Sequence, residues 1–123
     1  MAEGSGRAAK RSSVRVRILP SAKKDLRRGV RFYEMQEQGL GGYFLDALSA
    51  DIDSLQILAG IHPMRREHHR FLADRFPFWV YYRLEEDTAY VVAVLDARQH
   101  PAMIERRERI EQERGSKERQ PSS

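Results

Sequence analysis

Side chains able to do chemistry are spread unevenly along this chain. The run RFPFWVYYRLEEDTAYVVAVLDARQHP, Arg75 to Pro101, holds the only Trp, three of the five Tyr and two of the five Phe, and it closes on Arg and His. Trp and Tyr join a large apolar area to a polar tip, and arginine presents a planar fork suited to carboxylate or phosphate. That mixture belongs to a partner surface. Lys23, Lys24, Arg27, Arg28 and Arg31 form a second concentration, which reads either as a solvated helix face or as a docking site for an acidic partner. Other chemistries are poorly served. The chain has no Cys, which excludes thiolate catalysis, disulfides and Cys-based zinc sites. His68 and His69 lie in a stretch of mixed charge without HExxH spacing, so no metal is expected there. His62 before Pro63 reads as loop. Asp51 and Asp53 stand two apart on a helix and do not face one another, which argues against a paired-carboxylate site. No cofactor is expected.

A chain of 123 residues has room for one domain, and at this size a single core needs no metal or disulfide to fold. The formal charge is +4, but the excess sits in the ends. Residues 14 to 104 are close to neutral, so basicity alone is weak support for a nucleic-acid partner. No apolar run approaches the length of a membrane span, the start lacks the apolar stretch of a secretory signal, and the cytoplasm is the expected compartment. Residues 1 to 13 read as a disordered basic tail, 14 to 104 as the folded domain, and 105 to 123 as a charged C-terminal helix ending in a disordered tail.

The elements that must position these groups follow from periodicity. VRVRIL, Val14 to Leu19, alternates β-branched residues with Arg and predicts a half-buried strand ended by Pro20. With Ser21 as an N-cap, Ala22, Leu26, Val30 and Tyr33 fall on one helical face opposite the basic cluster. The glycines of QGLGG break that helix. Phe44, Leu45, Leu48, Ile52 and Leu55 continue in a second one, folded back as an antiparallel hairpin and stopped by Gly60 and Pro63. A strand is expected around Arg70 to Ala73. Two further strands flank the polar turn EEDT, Glu85 to Thr88. The predicted order is β-α-α-β-β-β, an α+β fold.

With a loop of Glu86 and Asp87, the last hairpin has two faces. Phe76, Phe78, Val80, Tyr82 and Leu84 with Ala89, Val91, Ala93, Leu95 and Ala97 form a core face for the helical hairpin. Arg75, Pro77, Trp79, Tyr81 and Arg83 with Tyr90, Val92, Val94, Asp96 and Arg98 form the other. That second face is either a partner surface or the seat of the C-terminal helix, with Met103 and Ile104 packing on Trp79 and Tyr81.

LPSAKKDL, FYEMQEQGLGGYFLDAL followed by HP, and the run from Arg75 to Pro101 together resemble the RelE/ParE superfamily of type II toxin-antitoxin toxins, closest to its ParE-like, plasmid-stabilisation branch. The likeness runs from about Val14 to Pro101. It implies a helical hairpin on a curved antiparallel sheet and neutralisation by a cognate antitoxin whose extended tail wraps the toxin, giving a toxin-antitoxin hetero-oligomer with no membrane involvement. It also implies one of two targets. ParE-type members poison DNA gyrase, and RelE-type members cut mRNA on the ribosome.

Cutting mRNA asks for a base at the ribose 2′-hydroxyl, an acid at the leaving 5′-oxygen and cations around the phosphate. On that reading Arg70, Arg75, Arg83 and Arg98 supply charge, and Glu67, His68, His69 or His100 move protons. Arg70 matches an Arg common on the family's second strand, and His100 falls near a terminal His of some nucleases. Where ParE-like members read His-x-x-Arg-Asp-Pro, this chain reads Asp96 to Pro101, DARQHP. The expectation is therefore a ParE-like binding toxin, with a RelE-like endoribonuclease and a non-toxic antitoxin-binding module as the alternatives. Its partner-binding residues are Trp79, Tyr81, Arg83, Tyr90 and Arg98 on the sheet and Lys24, Arg28 and Arg31 on the first helix.

Overall fold

The C-terminal β-hairpin organises the molecule. A computed structural model describes residues 13–119. The expected basic tail, except Ser13, and residues 120–123 lie outside that range. Strands β4 (Phe78–Glu85) and β5 (Thr88–Asp96) pair antiparallel around a two-residue turn, with Glu85 opposite Thr88 as the polar EEDT predicts. On one side β5 pairs parallel with β1 (Arg15–Ile18), and on the other β4 pairs antiparallel with β3 (His68–Leu72). The two-residue β2 (Met64–Arg65) completes the order β1-β5-β4-β3-β2. The sheet is thus antiparallel except at β1. The β2–β3 hairpin, not expected from sequence, turns through Arg66 and Glu67, both with positive φ (52° and 73°). Neither residue is a type that announces such a turn.

Helix α1 (Pro20–Gln36) opens on Pro20, whose missing N–H is no loss in a first helical turn. The N-cap is Leu19, and Ser21 does not cap. Its hydroxyl donates instead to the Val92 carbonyl, 2.7 Å away. β1 pairs with β5 only as far as Val91, with a last bond from the Leu19 N–H, so the β5 edge beyond would lack partners. Ser21 supplies one at Val92. Asp25, one turn later, supplies another by accepting from the Val94 N–H at 2.9 Å. The first turns of α1 thereby continue the work of the edge strand.

Ala22, Leu26 and Tyr33 are buried on the inner face of α1, while Lys23, Lys24, Arg27, Arg28 and Arg31 are exposed, the division that the period predicts. Helix α2 (Leu40–Asp53) folds back on α1. The link between them holds Gly39 at φ 90°. The Glu34 carboxylate accepts N–H bonds from Gly39 and Gly41, and these amides hold its pKa below the usual value. A Cβ on Gly41 would stand 2.6 Å from the Val30 carbonyl oxygen, so the helices meet closely there. The short α3 (Leu55–Leu58) follows α2.

The hairpin's apolar stripe packs on one sheet face, where the rings of Tyr33, Phe44, Phe76 and Phe78 meet tilted or edge-on with centroids 4.9 to 6.3 Å apart. Tyr82, fully buried in this layer, holds the Gly60 N–H at 2.8 Å and His62 Nδ1 at 2.6 Å, so His62 is a core partner as well as a loop residue. This is the expected α+β architecture, with one correction to the faces. A β-bulge leaves Val92 unpaired between Tyr82↔Val91 and Tyr81↔Ala93, and the parity of β5 slips by one. Val94, expected on the outer face, joins the core. Ala93 and Leu95, expected in the core, join Tyr81 and Val92 on the opposite face. Helix α4 (Pro101–Arg119) covers that second face and runs without a break across the expected boundary at 104/105.

Candidate functional site

The outer face of the sheet gathers its charge around one carboxylate. β3 presents Arg70 beside Tyr81 of β4, in register, and the Arg70 guanidinium lies 3.7 Å over the Trp79 ring. β2 contributes Arg65 and its turn Arg66. Into this group α4 lowers Glu108, whose side chain is 1% exposed. Its Oε2 accepts from the Tyr81 hydroxyl at 2.5 Å and from Arg65 Nε at 3.2 Å, with Arg70 Nη1 at 3.5 Å, while Arg66 Nε stands 3.5 Å from Oε1. Burial, reinforced by the Glu108 hydrogen bond, pushes the Tyr81 hydroxyl up to about 12. Three cations around one buried carboxylate leave the pocket positive without it.

A second ionic joint fastens α4 to α1. Arg107 makes a two-pronged bond to Asp25, 2.8 Å to each oxygen, and reaches Glu111 at 2.8 Å through Nε. Planar pairing of this kind is the strongest ion-pair geometry available to arginine. Ile104 packs with Trp79 and Leu19 against Tyr81, Val92, Ala93 and Leu95. Met103 does not bury itself on Trp79; it is 56% exposed and, with Phe32 at 50%, flanks a groove of about 410 Å³ between α1 and α4. Arg28 and Arg106 line the same groove.

The sequence-predicted residues are distributed as follows. Arg70 and Tyr81 meet at Glu108, and Tyr81 is buried beneath α4, while Trp79 is partly buried. Arg83 bonds Glu85 at 2.9 Å and lies 4.8 Å over Tyr90, a small cluster near the hairpin turn. Arg98 is exposed, chelates Asp96 and donates to the Tyr33 hydroxyl at 2.8 Å; its bonds to Asp96 raise its pKa. Arg75 donates to the Tyr43 hydroxyl at 2.7 Å. His100 Nδ1 accepts from the Ala102 N–H at 3.0 Å, in the manner of a helix cap. His69 stacks on Tyr82 on the core side and donates from Nδ1 to the His62 carbonyl, Glu67 occupies the β2–β3 turn, and His68 is buried on β3. Lys24, Arg28 and Arg31 are exposed on α1.

Sequence reasoning missed Glu108, Arg65, Arg66 and the Asp25–Arg107 pair. Glu108 falls one helical turn after Ile104, a spacing that would have put both on one face, but it stands among four other acids in a segment that reads as solvated. Among the described residues, no group of three or more His, Asp or Glu could hold a metal ion.

The helical hairpin on one face and the β1-β5-β4-β3 order match a RelE/ParE-like topology. Among solved structures, a chain described as "Chromosomal ParDE TA system from P. aeruginosa" superposes with a TM-score of 0.62 at 13% identity, over 69% of this chain and 97% of that one. At that identity the likeness is one of fold. No family model and no curated protein sequence matches the chain.

Proposed function

We propose that this chain is the toxin component of a type II toxin-antitoxin system, ParE-like, acting by binding and poisoning DNA gyrase and neutralised by a cognate antitoxin in the cytoplasm. The fold shared with a chain of a ParDE system supports the toxin class. One observation carries the choice of binding over cleavage. Of the proton-transfer candidates, His100 is engaged at the start of α4 and His69 against Tyr82, both away from Arg70, while His68, two residues before Arg70 on β3, shares its face but is buried beneath α4 close to Gly115. Arg75, Arg83 and Arg98 each have a separate partner away from Arg70. The carboxylate that does reach Arg70, Glu108, is buried under α4 with Oε2 already occupied by the Tyr81 hydroxyl, Arg65 and Arg70, so it is not open to a substrate hydroxyl. The exposed basic face of α1, with Lys24, Arg28 and Arg31, supplies a surface for an acidic antitoxin or for the target.

Endonuclease chemistry has one observation in its favour, the convergence of Arg65, Arg66 and Arg70 on Tyr81, an arrangement able to hold a phosphate. Expression of the full chain alone separates the readings. Growth arrest with relaxed plasmid and intact message supports gyrase poisoning. Codon-phased cuts in translated message would replace it with the nuclease, and unimpaired growth would leave only an antitoxin-binding module.

A further inference from the structure

The groove between α1 and α4 opens where β5 has no strand beside it. β1 stops pairing at Val91, Ser21 takes the Val92 carbonyl, and Asp25 takes the Val94 N–H. A strand residue turns its N–H and C=O to the same side, and the second residue along repeats that direction. The Val94 carbonyl and the Asp96 N–H therefore face the open edge, while Ala97, of the opposite parity, sends its N–H to Pro77 on the β4 side. Val94 and Asp96 line the groove, and neither of these two groups is bonded elsewhere among the described residues. Val94 is buried, where an unmet backbone group is costly.

We propose that this groove binds an N-acylated amino acid with a free carboxylate. Its N–H meets the Val94 carbonyl, one carboxylate oxygen meets the Asp96 N–H, Arg28 and Arg106 face the charge, and the acyl chain lies along Phe32, Met103 and Ile110. The site is separate from the Arg70 pocket and needs α4 in place as one of its walls.

Three features define that ligand. Phe32 of α1 and Met103 and Ile110 of α4 are exposed apolar side chains lining one groove of about 410 Å³, a volume suited to a small molecule with an apolar part. The two acids that line it are already taken up, Asp25 by Arg107 and Asp96 by Arg98. Arg28 and Arg106 line it too, are exposed, and have no carboxylate partner among the described residues, so the charge the groove calls for is negative. The strand edge supplies the third feature. The Val94 N–H is bonded to Asp25 and the Asp96 carbonyl accepts from the Gln99 N–H at 3.1 Å, which leaves one acceptor and one donor between them. That pair fits one residue and has no room for a longer strand. A simple fatty acid would supply chain and charge but leave the Val94 carbonyl unmet.

The probe is N-lauroylglycine, kept below its micelle concentration and titrated into the full chain by calorimetry, with the backbone amide spectrum read alongside. The Asp96 amide resonance is expected to shift, and its hydrogen exchange to slow, as the probe binds. Laurate, which lacks the amide, and N-lauroylglycinamide, which lacks the charge, are each expected to bind roughly tenfold weaker. The same loss is expected for the probe on the double variant Arg28→Gln, Arg106→Gln. Arg109→Gln, exposed on α4 and outside the groove lining, is expected to bind as the native chain does. Laurate as tight as the probe, an unmoved Asp96 amide, or no heat at about 1 mM probe would each overturn the proposal. Equal losses in Arg109→Gln and the double variant would overturn it as well, by reducing the binding to general attraction between charges. Tighter binding of acetyl-Leu-Leu-Gly than of the probe would replace the small amphiphile with the C-terminus of a peptide. The ligand series and the amide shift need no variant, and no readout involves toxicity.

Discussion

Glu108 and Asp25 are both buried acids, each held by arginine, Glu108 with the Tyr81 hydroxyl beside them and Asp25 with the Val94 N–H. Removing one partner of such a pair leaves the other charged and desolvated, at a cost of about 3 kcal/mol. Arg107→Ala is therefore expected to strip Asp25 of its partner and to speed hydrogen exchange across α4 by roughly a hundredfold. An unchanged exchange rate would mean that the joint holds nothing. Tyr81→Phe removes only a hydroxyl, with an expected loss of about 1 kcal/mol in urea denaturation. Residue types made half of this site legible. Arg70 and Tyr81 stand in a run whose aromatics and arginines mark it as more than core. Their counterion comes from a helix where glutamates and arginines alternate, and nothing in composition separates the buried Glu108 from its solvated neighbours.

Elements were legible where polar residues punctuate apolar ones. EEDT marks the β4–β5 turn, which stands where expected, and QGLGG marks the α1–α2 link, which is shorter than expected because Leu40, Gly41 and Gly42 already belong to α2. The bulge at Val92 was not legible, because VVAVL is apolar on both faces and its pattern does not resist a slip of one residue. Ser21 looked like a cap because its type favours that role, but Pro20 takes the first helical position and the open edge of β5 takes the hydroxyl. Two predictions belong at this scale. Gly41→Ala places a methyl 2.6 Å from a backbone oxygen. It is expected to destabilise by about 1–3 kcal/mol. Gly39→Ala meets no atom within 4 Å, so only its positive φ penalises it. The expected loss is about 1 kcal/mol. Urea denaturation of both variants checks the order, and a neutral Gly41→Ala would contradict the close approach of the helices. The β2–β3 region gives a pH dependence. Burial, with His69 nearby, holds the His62 pKa below its ordinary value of 6.5. The native state then binds fewer protons than the unfolded chain, so stability falls as the pH drops through 6.5 and the loss levels off below the lowered folded value. Native protein is expected to lose more melting temperature between pH 7.5 and 5.5 than His62→Gln, which keeps a polar partner for Tyr82. Equal losses would count against it.

Considered whole, the molecule has two faces that composition separates and one cover that it does not. The helical hairpin takes the greasy side of the sheet, as period predicts and as parity predicts up to the bulge at Val92. Whether rings and guanidiniums on the far side would lie open or be roofed could not be read from patterning, because the roof is itself mostly charged. The basic side of α1 stays open in either case. The central claim is that this fold works here by binding. Its most direct measurement is DNA supercoiling by purified gyrase titrated with the purified chain, alongside ribosomes translating a defined message. The account predicts that supercoiling falls as the chain is added while the message stays intact; undiminished supercoiling together with codon-phased cleavage of the message would contradict it.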